Sequence, residues 1–184
     1  MIDKIDRALE MSAGIVKDIA DDELAAPGLC PGWTVHAELN HLVGGMRIFA
    51  AELTGTDPGG AHEDDWLGAD HRTAYAIAAD LDRRAWHRPG ALAGSVRLGF
   101  GVLPGPMAAL VHLTEVLVHG ADLALATGRA DLVDDDACAG LLAIMRGMDF
   151  GGFLRPGMFG PAVPVAEEAP AHWQLLAFLG REPR

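Results

Sequence analysis

The chain has 184 residues, half of them hydrophobic, which is enough for one well-packed core and too few to suggest two, so residues 1–184 read as a single domain. A net charge of −12, a sequence pI of about 4.9 and only two lysines, Lys4 and Lys17, argue against nucleic acid as a partner, because the chain repels phosphate. Its apolar runs are broken by Asp, Glu, His or Gly well short of the roughly 20 residues that span a bilayer, and Asp3, Asp6 and Glu10 stand where a signal peptide would be basic, so no membrane partner and a cytoplasmic location are expected.

Ile2, Ile5, Leu9, Ser12, Val16 and Ile19 recur at steps of three and four and predict a first amphipathic helix. Pro27, Pro31 and Gly32 break it from a second, which Thr34 is placed to cap and whose stripe is Val35, Leu39, Leu42, Met46, Phe49 and Leu53, ending near Gly55. Cys30, in that break, and Cys138 form no C-x-x-C pair and read as free thiols. Cys30 is expected to pack, with metal ligation or alkylation as the reactive alternatives, and Trp33 to anchor the core at the helix start.

Ala74, Ile77, Ala78, Leu81 and Ala85 mark a third helix stopped by Pro89 and Gly90. Its Arg83 and Arg84, with Arg72, are basic enough to hold an anion, although exposed helix arginines usually only solvate a face. Alternation at Val96, Leu98, Phe100 and Val102 suits an extended segment or short hairpin within 94–104. A long fourth helix is predicted from about Pro106 to Thr127, a fifth capped by Asp134 to Asp136 and reaching about Met148, a Gly/Pro-rich loop over 151–164, and a short helix opened by Pro170. The fold class is therefore all-α, a helical bundle with short extra helices.

The fourth helix carries no lysine or arginine and is apolar nearly all round. The exception is one seam, with His112, Glu115, His119 and Asp122 within roughly 80 degrees of each other on a helix of 3.6 residues per turn. Buried carboxylates need a compensating cation, this helix supplies none, and a divalent metal fits. Glu115 and His119, four residues apart, can share one ion, as an ordinary side-chain pair can also arise at that spacing. Asp122 is placed to accept the other ring N–H of His119, fixing its orientation. A third ligand is offered by His41 on the second helix, which reads equally well as a surface histidine. His112 has three readings: a hydrogen-bonded core residue, which is preferred, a proton carrier, or a further ligand.

Two stretches, Leu29-Cys-Pro-Gly-Trp33-Thr-Val with Asn40-His41-Leu-Val-Gly-Gly45, and Glu115-Val-Leu-Val-His119-Gly-Ala-Asp122-Leu-Ala-Leu-Ala-Thr-Gly-Arg129, resemble the mycothiol-dependent maleylpyruvate isomerase type of metal-binding protein, within the DinB-like helical bundles. The endings Arg155 to Pro161 and Leu176 to Pro183 are similar to the same group. The resemblance implies a DinB-like four-helix bundle and His41, Glu115 and His119 as ligands of zinc. Nitrogen and oxygen donors also suit nickel, iron or manganese. Ala121 stands where many relatives carry Trp, and the isomerases have a further domain for which 184 residues leave no room, so isomerisation of maleylpyruvate itself is not expected.

The resulting expectation is a metal- and thiol-dependent transferase or isomerase, in which a low-molecular-weight thiol such as mycothiol attacks an electrophilic small molecule. The alternatives are a zinc-dependent hydrolase and a non-catalytic metal-binding or dimerisation module. A homodimer is left open.

Overall fold

The computed structural model describes residues 1–149 and 159–182; part of the expected Gly/Pro-rich loop, and with it Arg155 to Met158, lies outside them. Helices α1 (Ile2–Asp18), α2 (Val35–Thr54) and α3 (His71–Trp86) lead to strands β1 (Ser95–Leu98) and β2 (Gly101–Pro104). Then come α4 (Gly105–Ala126), α5 (Asp135–Arg146) and α6 (Ala171–Phe178), with single 3-10 turns at Asp21–Ala25 and Ala130–Leu132. The fold is mainly all-α. The four long helices close a ring in the order α1, α4, α2, α3, so α1 faces α2, and α3 faces α4, only across the bundle centre.

The local chemistry explains the ends of these elements. Thr34 Oγ1 accepts from the Ala37 N–H at 3.2 Å to open α2, and Asp134 does the same for Ala137 at 3.0 Å to open α5. The stripe of α1 lies in the core, with Ile5, Leu9, Ile15, Val16 and Ile19 almost wholly removed from solvent. There α1 meets α4 so closely that a Cβ on Gly120 would lie 2.2 Å from Ser12 Oγ; only glycine permits this approach. Ser12 in turn donates to the Val116 carbonyl at 3.2 Å.

Helix α3 departs from the expected stripe. Ile77 and Leu81 are 49% and 42% exposed, while Tyr75, Asp82 and Trp86 point inward. The helix is turned because Asp82 has a buried partner, His112 Nε2 at 2.7 Å, and because the two aromatic rings offer more apolar surface than Ile77 and Leu81. Tyr75 also donates its hydroxyl to the Leu9 carbonyl at 3.0 Å.

The extended segment is an antiparallel hairpin whose register pairs Val96 with Leu103 and Arg97 with Val102. The chain reverses at Gly99 and Phe100, so the alternation does not carry across the turn. Val96 is buried, whereas Phe100 and Val102 face solvent.

Helix α4 is long and apolar enough to cross a membrane by length and composition, but 78% of its most apolar window is buried among the other elements. Its apolar faces serve the core, as an all-round apolar helix in a bundle should. Helices α5 and α6 pack on each other outside the ring, and α6 also touches α4. The Arg181 N–H donates to the Leu176 carbonyl at 2.9 Å, which turns the chain after α6 back toward α4.

Candidate metal centre

Helices α2 and α4 are neighbours, and between them they carry the buried carboxylates Glu38 and Asp122 together with His41, Glu115 and His119. His41 on α2 brings Nε2 to 3.0 Å from Glu115 Oε2 on α4. His119, one turn along α4, brings its own Nε2 to 3.4 Å from the same oxygen. One atom of each residue lies within 4.8 Å of the other two. His41 and Glu115 have side chains 24% and 32% exposed, whereas His119 is 8% exposed, so the trio has one open edge and a closed back.

The back is a second set of polar side chains. His119 Nδ1 donates to Glu38 Oε1 at 3.1 Å, and Asp122 Oδ2 stands further off at 3.6 Å. Glu38 and Asp122 are completely buried. The expected partner of the His119 ring is therefore displaced: Glu38 takes the hydrogen bond, and Asp122 is nearby but not bonded to it. Nor does Asp122 depend on a metal for compensation, since Arg181 Nε lies 3.3 Å from its Oδ2. The cation comes from the end of the chain rather than from α4.

Above His119 the loop from Pro27 to Thr34 closes on itself through the Gly28 N–H to Trp33 carbonyl bond at 2.8 Å. Gly28 lies against Glu38, and a Cβ there would fall 2.7 Å from Glu38 Oε2. The loop lays Trp33 parallel to the His119 ring, with centroids 6.1 Å apart, and edge-on to His41 at 5.0 Å. Trp33, expected as a core anchor, walls the site instead. Cys30 sits half-buried, its Sγ 3.8 Å from Asp122 Oδ2 and 3.4 Å from Arg181 Nη2. Burial pushes its thiol up despite His119 close by. On the open edge, the exposed His62 stands with its ring 4.7 Å from that of His41.

The electrostatics follow from these contacts. Burial works against a charge on Glu115, but the bonds from His119 and His41 outweigh it and hold the carboxyl well below the usual carboxylate range. Burial likewise opposes the charge of Glu38, and His119 again reverses it. For His119 burial acts to lower the pKa, and Cys30, Glu115 and Glu38 together raise it well above its ordinary value. The gap between His119 Nε2 and Glu115 Oε2 is thus a place that attracts a cation, whether a proton or a metal ion. With Nδ1 committed to Glu38, it is the Nε2 proton that a metal ion would displace, which leaves the tautomer a metal ligand needs.

His112, from the same seam of α4, is not part of this assembly. It points across the bundle centre to Asp82 and lies among Phe49 and Trp86, with ring centroids at 4.4 and 5.6 Å. The arginines of α3 are engaged elsewhere: Arg72 with Asp21 and the Lys17 and Ile19 carbonyls, Arg83 with Asp6 and Glu10, Arg84 with Asp80. None reaches the centre.

Sequence reasoning missed Glu38, Arg181 and His62. Glu38 had a signal: it stands three residues after Val35 and four before Leu42, inside the apolar stripe, where an unpaired charge does not belong. Arg181 and His62 had none, since each reaches the site only through the path of its loop.

Comparison with known proteins agrees with this architecture. The family model of the mycothiol maleylpyruvate isomerase N-terminal domain matches residues 5–124, which include His41, Glu115 and His119. Two uncharacterised proteins of Mycobacterium tuberculosis, from strains CDC 1551 / Oshkosh and ATCC 25618 / H37Rv, are each 31% identical over 179 residues, covering 97% of this chain and 96% of theirs. No solved structure matches. On the family match and on similarity along nearly its whole length, the chain belongs to the mycothiol maleylpyruvate isomerase N-terminal domain family.

Proposed function

We propose that the chain holds one divalent metal ion, zinc, between His41, Glu115 and His119, and uses it to activate a low-molecular-weight thiol, mycothiol, against an electrophilic substrate in a transferase or isomerase reaction. The observation that carries this reading is that two imidazole Nε2 atoms face one carboxylate oxygen, at 3.0 and 3.4 Å, with the Nδ1 of one ring already bonded to Glu38. Two imidazoles and a carboxylate are a donor set that zinc accepts, with a fourth position left for an exogenous ligand. A divalent ion in such a set lowers the pKa of a bound thiol or water, so that the sulfur is a thiolate near neutral pH.

The protein's own groups supply the rest. Glu38 fixes the His119 ring, and the closed back formed by Glu38 and Asp122 excludes an approach from inside the bundle. The open edge between His41, Glu115 and His62 is the entrance for thiol and substrate, with Trp33 as an apolar wall. Thiol dependence and mycothiol come from the family to which the chain belongs. Cytoplasmic location, where that thiol is kept reduced, belongs to the same reading.

The test is elemental analysis of protein purified without chelator, beside His41→Ala and Glu115→Ala. Stoichiometric metal in the parent chain and its loss in both variants is expected; full loading of both variants overturns the site. Incubation of the loaded protein with mycothiol and a panel of electrophiles then reads the chemistry. Conjugate or isomer formed only with thiol present is expected, and turnover in thiol-free buffer overturns the thiol in favour of hydrolysis.

A further inference from the structure

Behind His119, one donor atom each of Cys30, Glu38, His119 and Asp122 lies within 4.8 Å of the others, by itself the donor set of a closed metal site. A cation already lies against it. The guanidinium of Arg181 places Nε 3.3 Å from Asp122 Oδ2 and Nη2 3.4 Å from Cys30 Sγ, and its side chain is 8% exposed. A metal ion there would sit beside a buried guanidinium, with like charges in a region of low dielectric.

We infer that Arg181 is a positioning residue for the metal centre: by engaging Asp122 it leaves Glu38 as the partner of His119, and so aims His119 Nε2 at His41 and Glu115. The inference rests on the metal reading above.

Three observations lead to it. His119 Nδ1 has one proton and two carboxylates within reach, Glu38 Oε1 at 3.1 Å and Asp122 Oδ2 at 3.6 Å. The oxygen that Arg181 engages is that same Oδ2, so the guanidinium withdraws the competitor and leaves the N–H to Glu38. Among the described residues Glu38 Oε2 and Asp122 Oδ1 are buried without a hydrogen-bond partner of ordinary length, so Arg181 and His119 are the cations that compensate the two carboxylates, with the Cys30 thiol as a weak neutral donor beside them.

The backbone delivers Arg181 to this place through the turn after α6, where its N–H is tied to Leu176 and its guanidinium lies over the Phe159 ring at 5.7 Å. The segment following α6 thereby becomes part of the centre formed by α2 and α4. Without Arg181, Asp122 is free to compete for the ring N–H, and a rotated His119 presents Nε2 poorly.

The experiment is a cobalt(II) titration, followed by the visible absorption of the bound ion, on the parent chain, Arg181→Met, Arg181→Lys, Asp122→Asn and the Arg181→Met/Asp122→Asn pair. Circular dichroism confirms that each is folded. Arg181→Met is expected to weaken cobalt binding by about 10-fold or more, the scale for partners that orient a ligand. Adding Asp122→Asn is expected to restore most of the affinity, because an amide needs no cation and competes weakly for the N–H. Arg181→Lys, which keeps the charge, is expected to bind more tightly than Arg181→Met and serves if the methionine variant does not fold.

Unchanged affinity in Arg181→Met overturns the inference, as does a double variant as weak as the single one, since Arg181 then only fills space. A near-ultraviolet thiolate-to-cobalt band that disappears in Cys30→Ser places the ion behind His119 and overturns it too. A parent chain that binds no cobalt overturns the metal reading itself, an outcome distinct from equal binding by parent and variant.

Discussion

His119 Nδ1 lies 3.1 Å from Glu38 Oε1, a hydrogen bond between residues 81 positions apart that joins the first turn of α2 to the middle of α4. It decides which nitrogen of His119 faces the candidate centre, and so ties the geometry of that centre to Glu38.

Glu38→Ala should therefore weaken metal binding by about 10- to 100-fold with His41, Glu115 and His119 all intact. Glu38→Gln should cost less, because its amide oxygen still accepts from Nδ1. Competition against a chelator of known affinity measures both. Parent-like affinity in Glu38→Ala would show that the ring holds its orientation without this bond.

Metal-free protein should show a stability optimum on the acid side of neutrality. His119 is raised above its ordinary 6.5, so its contribution is fully present below that value and is lost as pH rises through the higher folded-state value. Glu115 is lowered from 4.5, so its contribution is present above 4.5 and is lost as pH falls through the lower folded-state value. Both operate together between 4.5 and 6.5. Urea unfolding of chelator-treated protein at pH 5.5 and pH 8.5 reads the difference, which His119→Gln should reduce. With metal present the trend should reverse, since the ion takes the place of the proton.

His112→Leu should destabilise the fold by roughly 3–5 kcal/mol, because it leaves Asp82 buried at 0% exposure without its partner. His112→Leu/Asp82→Leu should lose much less. Both variants, once folded, should bind metal like the parent chain. Denaturant unfolding and metal titration separate this role from that of a ligand, and loss of metal in the folded double variant would return His112 to the site.

Gly120→Ala should force α1 away from α4, since the added carbon meets Ser12 Oγ at 2.2 Å and Met11 Cε at 2.8 Å. A cost of roughly 1–3 kcal/mol is expected from overpacking a close helix contact. Ser12→Gly in the same chain should recover part of it. Thermal unfolding of the three proteins provides the measurement.

Much of this was legible in the sequence because it depends on short range. Thr34 and Asp134 cap the helices they were placed to cap, and the stripe of α2 from Val35 to Phe49 is buried as its spacing predicted. Glu115 and His119 meet because four residues along a helix set that distance. The stripe of α3 failed at Ile77 and Leu81, which face solvent. Asp82 faces inward, and only the position of His112 on another helix explains it.

The sequence by itself determined the helices, their caps and the pairing of Glu115 with His119, since periodicity and hydrogen bonding within a turn act between near neighbours. Only the tertiary structure decided how the seam of α4 divides: His112 to Asp82, His119 to Glu38 and His41, Asp122 to Arg181. Each buried charge needs an opposite partner, and which residue provides it depends on how α2, α3 and the turn after α6 pack around α4, a matter of packing over the whole chain rather than of spacing along it.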